Sequence, residues 1–124
     1  MFASEATPAT DALLDVLSVG GTAWVPALWH LELGNVLVGA RRKGRIDQAG
    51  IEQFLSALDV YDIQVDGETI SVAWTKTLAL AESSVLTIYD AAYLELALRK
   101  GLPLASLDGA LCKAMKQAGG RLAL

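Results

Sequence analysis

Three carboxylates draw attention because their sequence neighbours offer no cation to neutralise them. Asp90 lies near the start of LTIYDAAYLELALRKGLPLASLD, residues 86–108, and Asp108 closes that segment. Residues 88–98 are too apolar for a surface helix, which predicts burial. A carboxylate in such surroundings is costly unless it is hydrogen-bonded or paired. Glu32 sits in a second apolar stretch. Its neighbours one helical turn away are Leu28, Trp29, Asn35 and Val36, none of them basic. Glu32 and Asn35 share one side of the expected helix, as a ligand and its orienting neighbour would. Three carboxylates without nearby histidine or cysteine ligands suit a hard cation such as Mg2+, with Mn2+ as a substitute. A cation of that kind polarises a phosphoryl oxygen and generates hydroxide at neutral pH, the chemistry of phosphodiester hydrolysis.

Each acid also has a purely structural reading. Thr87 and Asp90 form the T-x-x-D spacing of a capping box, and Asp108 can cap a helix that begins at Gly109. The run Arg41-Arg42-Lys43-Gly44-Arg45 places favourable charge at a helix C-terminus, and Arg41 and Arg42 can also contact substrate phosphates. His30, in an apolar helix, is expected to pack or hydrogen-bond rather than act as a general base. Trp24, Trp29 and Trp74 are expected as core or interface anchors rather than base-stacking platforms. Cys112, the one cysteine, falls in an apolar helical pattern and reads as a core filler. There is no P-loop, G-x-G-x-x-G, G-x-S-x-G or zinc-ligand spacing.

The elements that must position these residues alternate between helix and strand. Thr7-Pro8 opens a helix that Gly20-Gly21 ends. Residues 22–25 form a short strand stopped by Pro26, and a helix over 27–43 ends at Gly44. Asp47 caps a helix running to position 58, residues 60–65 alternate as a strand, and Asp66 opens a helix through position 81. Thr87 caps the apolar helix that ends at Lys100-Gly101. Residues 102–107 are a strand, 109–118 a helix and 121–124 a terminal strand. Strands separated by helices of this length imply a parallel α/β sheet, with ligands beyond the carboxyl ends of its strands. Asp108 stands at such an end.

Composition narrows the function classes. A chain of 124 residues makes one domain with a real core. The apolar fraction is 53% and the mean hydropathy +0.40, yet no run reaches the roughly 18 apolar residues of a spanning helix. The longest candidate, residues 27–40, is interrupted by His30, Glu32 and Asn35. The lone cysteine and an N-terminal stretch without a basic, apolar leader pattern predict a cytoplasmic protein. A net charge of −4 argues against nucleic-acid binding through bulk positive charge.

Taken in order, VPALWHLELGNVL, LTIYDAAYLELALRKGLPLASLD and LCKAMKQAGGRLAL resemble the PIN-domain ribonucleases of the VapC toxin type, from about Phe2 onward. The resemblance implies a parallel sheet wrapped by helices and a Mg2+-dependent endoribonuclease acting on RNA. It also implies control by a cognate antitoxin protein and a homodimeric state. By motif, Glu32, Asp90 and Asp108 match the family's catalytic and metal-binding acids, and Thr87 and Ser106 its small hydroxyl positions near the site. The family begins with a central strand ending in a further aspartate, within a V-V-D-A-S-like segment. This sequence opens MFASEATPATDALL instead, where Glu5, Asp11 and Asp15 do not end a strand. The expectation is therefore a single PIN-like domain over residues 1–124, N-terminally truncated, with unpaired sheet edges where the first strand would lie. A different reading of the same residues is a catalytically inactive PIN-like module that binds an antitoxin or another PIN chain. A phosphoacceptor receiver domain fits less well, because its clustered first-strand acids and positioned lysine are absent from the pattern.

Overall fold

Pro26 cannot donate to a β ladder, and the strand before it, β1 (Thr22–Val25), is correspondingly short. The computed structural model describes residues 21–106 and 108–123; the helix expected over 7–20, with Glu5, Asp11 and Asp15, lies outside them. Along β1 the side chains alternate: Ala23 and Val25 are buried, Thr22 and Trp24 exposed. The chain then forms α1 (Leu28–Arg42) and α2 (Gln48–Leu58) before β2 (Asp62–Val65) pairs with β1 in parallel. The register sets Thr22 against Asp62 and Val25 against Val65, and the Asp66 N–H donates to the Val25 carbonyl at 2.9 Å.

The helix boundaries follow local signals. Asp47 accepts from the Gly50 N–H at 2.8 Å and caps α2. Gly44, just past α1, takes the left-handed conformation at φ 71°. After β2, regular helix begins at Thr69 rather than directly at Asp66. The Asp66 carboxylate accepts from the Glu68 N–H at 3.2 Å and the Thr69 hydroxyl at 2.9 Å, which fixes a turn before α3 (Thr69–Val72). A π-helical segment, Ala73–Thr77, joins α3 to α4 (Leu78–Ser84). Its wider turn changes which side chains face inward: Thr77 is buried while Trp74 is 89% exposed. Then come α5 (Ile88–Lys100), ended by Gly101, and α6 (Gly109–Gln117).

The architecture is mixed α/β, but the sheet is smaller than the alternation predicts. Among the described residues of the strands expected over 102–107 and 121–124, only Leu104 and Leu122 pair, in parallel with each other. The Leu104 N–H donates to the Arg121 carbonyl and its carbonyl accepts from the Ala123 N–H, both at 2.9 Å. Pro103 lacks an N–H, and Ser106 already turns the backbone toward Asp108, so the ladder has little room on either side of Leu104.

The core divides along the same line. Ala23, Val25, Trp29, Leu33, Leu37 and Phe54 form one apolar cluster around β1, α1 and α2. Leu94, Ala97, Leu104, Leu111, Ala114 and Met115 form another around α5 and α6. Tyr93 packs, half-buried, against both. Among the described residues no helix is long and apolar enough to cross a membrane.

Candidate functional site

The α5 N-terminus is built as the T-x-x-D spacing predicts. The Thr87 hydroxyl accepts from the Asp90 N–H at 3.1 Å, which fixes the first turn and places the Asp90 side chain over it. Asp108 caps α6 in the same manner, its Oδ2 accepting from the Leu111 N–H at 2.9 Å. Ser106, buried, sets up that cap: its Oγ accepts from the Asp108 N–H at 3.0 Å and its carbonyl accepts from Cys112 Sγ at 3.2 Å. Thr87 and Ser106 thus each build the helix start that carries an acid.

Two of the expected acids come together. Partial burial pushes the Asp90 carboxyl above its ordinary range, and the nearby Asp108 charge pushes it in the same direction, with the Thr87 hydroxyl opposing both. Like charges at two helix starts, one of them half-buried, make a place where a cation would relieve both penalties.

Glu32 sits differently. The apolar composition of α1 predicts little solvated face, yet the helix buries the stripe Trp29, Leu33, Leu37 and Ala40 and leaves Glu32 and Asn35 exposed. Leu31 and Val38 share the solvated side, so composition overstated the burial of this helix. The partner missing from the local sequence comes from α5: the Tyr93 hydroxyl donates to Glu32 Oε1. Partial burial, that hydrogen bond, and the charges of Glu32 and Asp90 all push the Tyr93 phenol upward. Tyr93 therefore lies within reach of both Glu32 and Asp90.

No group of three or more histidine, cysteine, aspartate or glutamate side chains among the described residues is placed to hold a metal ion.

The remaining candidates lie farther off. Arg41 and Arg42 are exposed at the end of α1, about 14 Å along the helix axis from Glu32. Arg41 donates to Gln48 Oε1 across the α1–α2 turn. His30 is exposed and stands edge-on to Trp29, their ring centroids 5.0 Å apart. Of the tryptophans only Trp29 is a core residue. Lys100 Nζ lies 3.9 Å from the centroid of the Trp24 ring, and Trp74 faces solvent.

A second polar cluster has no counterpart in the sequence reading. Arg99 donates to Asp66 through both terminal nitrogens, at 3.1 and 2.7 Å. It also grips Glu95, from Nε at 2.7 Å and from a terminal nitrogen at 3.0 Å, and reaches Glu68 at 2.8 Å. The Asp66 and Glu95 side chains are only 2% and 3% exposed. One signal was available: Glu95 and Arg99 lie four residues apart on a helix otherwise apolar enough to be buried. No protein-family model, curated protein or solved structure matches this chain.

Proposed function

We propose that this chain is a PIN-like, metal-dependent endoribonuclease, the toxin of a toxin–antitoxin pair. The observation that carries the reading is the approach of Asp90 and Asp108 at two helix starts, where burial and like charge raise the Asp90 carboxyl. When bound, Mg2+ supplies Lewis-acid polarisation and a hydroxide at neutral pH. Asp90 and Asp108 hold the negative charge that attracts it. Glu32, the third acid of the reading, accepts the Tyr93 hydroxyl through Oε1. Arg41 and Arg42 bind a backbone phosphate away from the scissile bond and so align the RNA without reading its sequence. The cognate antitoxin and a homodimeric assembly belong to the same reading.

Asp90→Asn is the test. The amide leaves the Thr87 cap in place, so the fold persists, while Mg2+-dependent cleavage of single-stranded RNA falls at least about 100-fold. Cleavage retained by Asp90→Asn in a nuclease-free preparation refutes the assignment. A catalytically inactive binding module is the second reading, favoured by the lack of a three-carboxylate group among the described residues. That reading predicts no metal-dependent cleavage by the unsubstituted chain and unchanged capture of its antitoxin by Asp90→Asn.

A further inference from the structure

We propose that the outer face of the helix running from α3 through the π-helical segment into α4 pairs with the same face of a second copy of this chain. A homodimeric state belongs to the reading above; its surface is argued here from exposure and charge alone, so the two can fail separately. The segment is one-sided. Thr77 and Ala81, four residues apart, are buried, whereas Ile70, Trp74 and Leu78, also four apart, are exposed. Ile70 is 84% exposed and Trp74 89%. One exposed apolar side chain is ordinary, but three in line make a patch of roughly 400 Å2, within the size range of interaction surfaces. Tryptophan is also among the side chains in which binding energy concentrates.

Charge names the occupant. Lys76 and Glu82 are exposed on the same segment, and neither pairs with another described residue. They stand three positions to either side of Ala79, which is exposed and small. About a two-fold axis at Ala79, two antiparallel copies of α4 set Lys76 of each opposite Glu82 of the other, the reciprocity that an isologous contact requires. The small Ala79 side chain lets the helices approach at the axis. Leu78 lies beside it, and Trp74 covers the last turn of the opposing α4. A partner of one charge sign would set either Lys76 or Glu82 against its like, so the self-complementary pair favours a second copy. With the two charged side chains and Ala79, the face offers roughly 600 Å2 per copy. The pair then buries about 1,200 Å2, the low end for a specific interface, which suits a concentration-dependent dimer.

Sedimentation equilibrium of the full chain, from micromolar to sub-millimolar concentration, tests the proposal without metal or RNA. The unsubstituted chain should show a monomer–dimer equilibrium with a micromolar Kd. Trp74→Ala should raise that Kd at least about 30-fold, the cost of truncating a central anchor. Lys76→Glu and Glu82→Lys each set like charges across the axis twice and should each weaken the dimer about tenfold. Combined, they exchange the charges and should restore Kd to within about threefold, a recovery that general loss of stability does not produce. Thermal melting of dilute samples, where the chain is monomeric, should be alike across the set and shows that each variant is folded. A chain that stays monomeric throughout overturns the proposal, whether the α4 face is solvated, covered by the chain's own N-terminal residues or kept for an unrelated protein. A dimer indifferent to Trp74→Ala overturns the α4 surface and leaves the homodimeric reading standing. Failure of the combined charge exchange to restore the dimer overturns the two-fold pairing on which the choice of a second copy rests.

Discussion

Arg99→Met is the substitution expected to damage the fold most for its size. The guanidinium has five N–H groups, and the structure gives it five hydrogen bonds: two to Asp66, two to Glu95 and one to Glu68. Methionine preserves most of the apolar stem and removes every one of those donors. Two carboxylates are then left buried without their cation, since Asp66 and Glu95 side chains are 2% and 3% exposed. Breaking a buried pair from one side costs about 3–5 kcal/mol. The lower end applies here, because Arg99 is itself 17% exposed and Lys100 Nζ stays 3.9 Å from Asp66. A loss of about 3 kcal/mol is a large share of the 5–15 kcal/mol typical of a domain and lowers Tm by roughly 12 °C.

Urea denaturation of the unsubstituted chain, Arg99→Met, and Arg99→Met combined with Glu95→Leu decides the matter. The combined variant leaves one orphaned carboxylate instead of two and should recover part of the loss. Acid supplies a further signature. In Arg99→Met the Asp66 carboxyl loses the guanidinium that lowers it, so the stability this pairing gives the unsubstituted chain, which is lost as pH falls from 3.8 to about 2, is missing from the variant. The gap to the unsubstituted chain should narrow over that range. A loss under about 1 kcal/mol, or a gap that stays flat with pH, refutes the account of Arg99 as a neutralising clamp.

The other expectations follow from single observations. The Arg99 guanidinium beside Asp66 holds its carboxyl down at about 2, against an ordinary 3.8, so this group stabilises the fold fully above pH 3.8. That contribution, about 1–2 kcal/mol after allowance for solvent screening, is lost as pH falls from 3.8 to about 2 and should be absent from the acid limb of Asp66→Asn. Val85 ends α4 in the left-handed region at φ 54°, which a β-branched side chain adopts only under strain, and it is 90% exposed. Val85→Gly should therefore stabilise by about 1 kcal/mol in thermal melting, and a destabilisation would show that Val85 makes contacts its exposure conceals.

What the sequence made legible was local. Gly44 and Gly101 mark helix ends, and Asp47, Thr87 and Asp108 cap helices where they were expected to, because a cap depends on atoms within three or four residues. The same locality made Asp90 and Asp108 visible as acids at helix starts. It could not show that they approach each other, nor that Glu32 finds Tyr93. Composition overstated the burial of α1: its apolar makeup predicts little solvated face before Arg41, although the buried residues are the stripe Trp29, Leu33, Leu37 and Ala40. The strands over 102–107 and 121–124 failed for a related reason. Apolar alternation measures burial, and Leu104 and Leu122 are drawn into the α5–α6 core through one bridge without a full ladder. Asp66 illustrates the limit of cap logic. Its acceptor bonds to Glu68 and Thr69 shape the turn before α3, but its main partner, Arg99, is 33 residues away.

One helix carries both polar systems, and their separation along it gives the chain two independent controls. Asp90 and Tyr93 occupy the first turns of α5, Glu95 the middle and Arg99 the last turn, so Asp90 and Arg99 are about 14 Å apart along the axis. The Arg99 cluster ties α5 to the turn after β2, and therefore to the parallel pair, while Tyr93 ties it to α1 through Glu32. Two attachments at different depths of one rigid element fix its tilt as well as its position, which a single contact cannot do. The consequence is a division of labour: the Arg99 end ties α5 to the parallel pair, and the Tyr93 end ties it to α1. Arg99→Met should lower stability by about 3 kcal/mol and Tyr93→Phe by about 1 kcal/mol, and the combined variant should lose about the sum in urea denaturation, since sites more than about 10 Å apart without shared partners behave additively. A combined loss that departs from that sum by more than about 0.5 kcal/mol would mean that α5 moves as a whole, and that the two ends are one system.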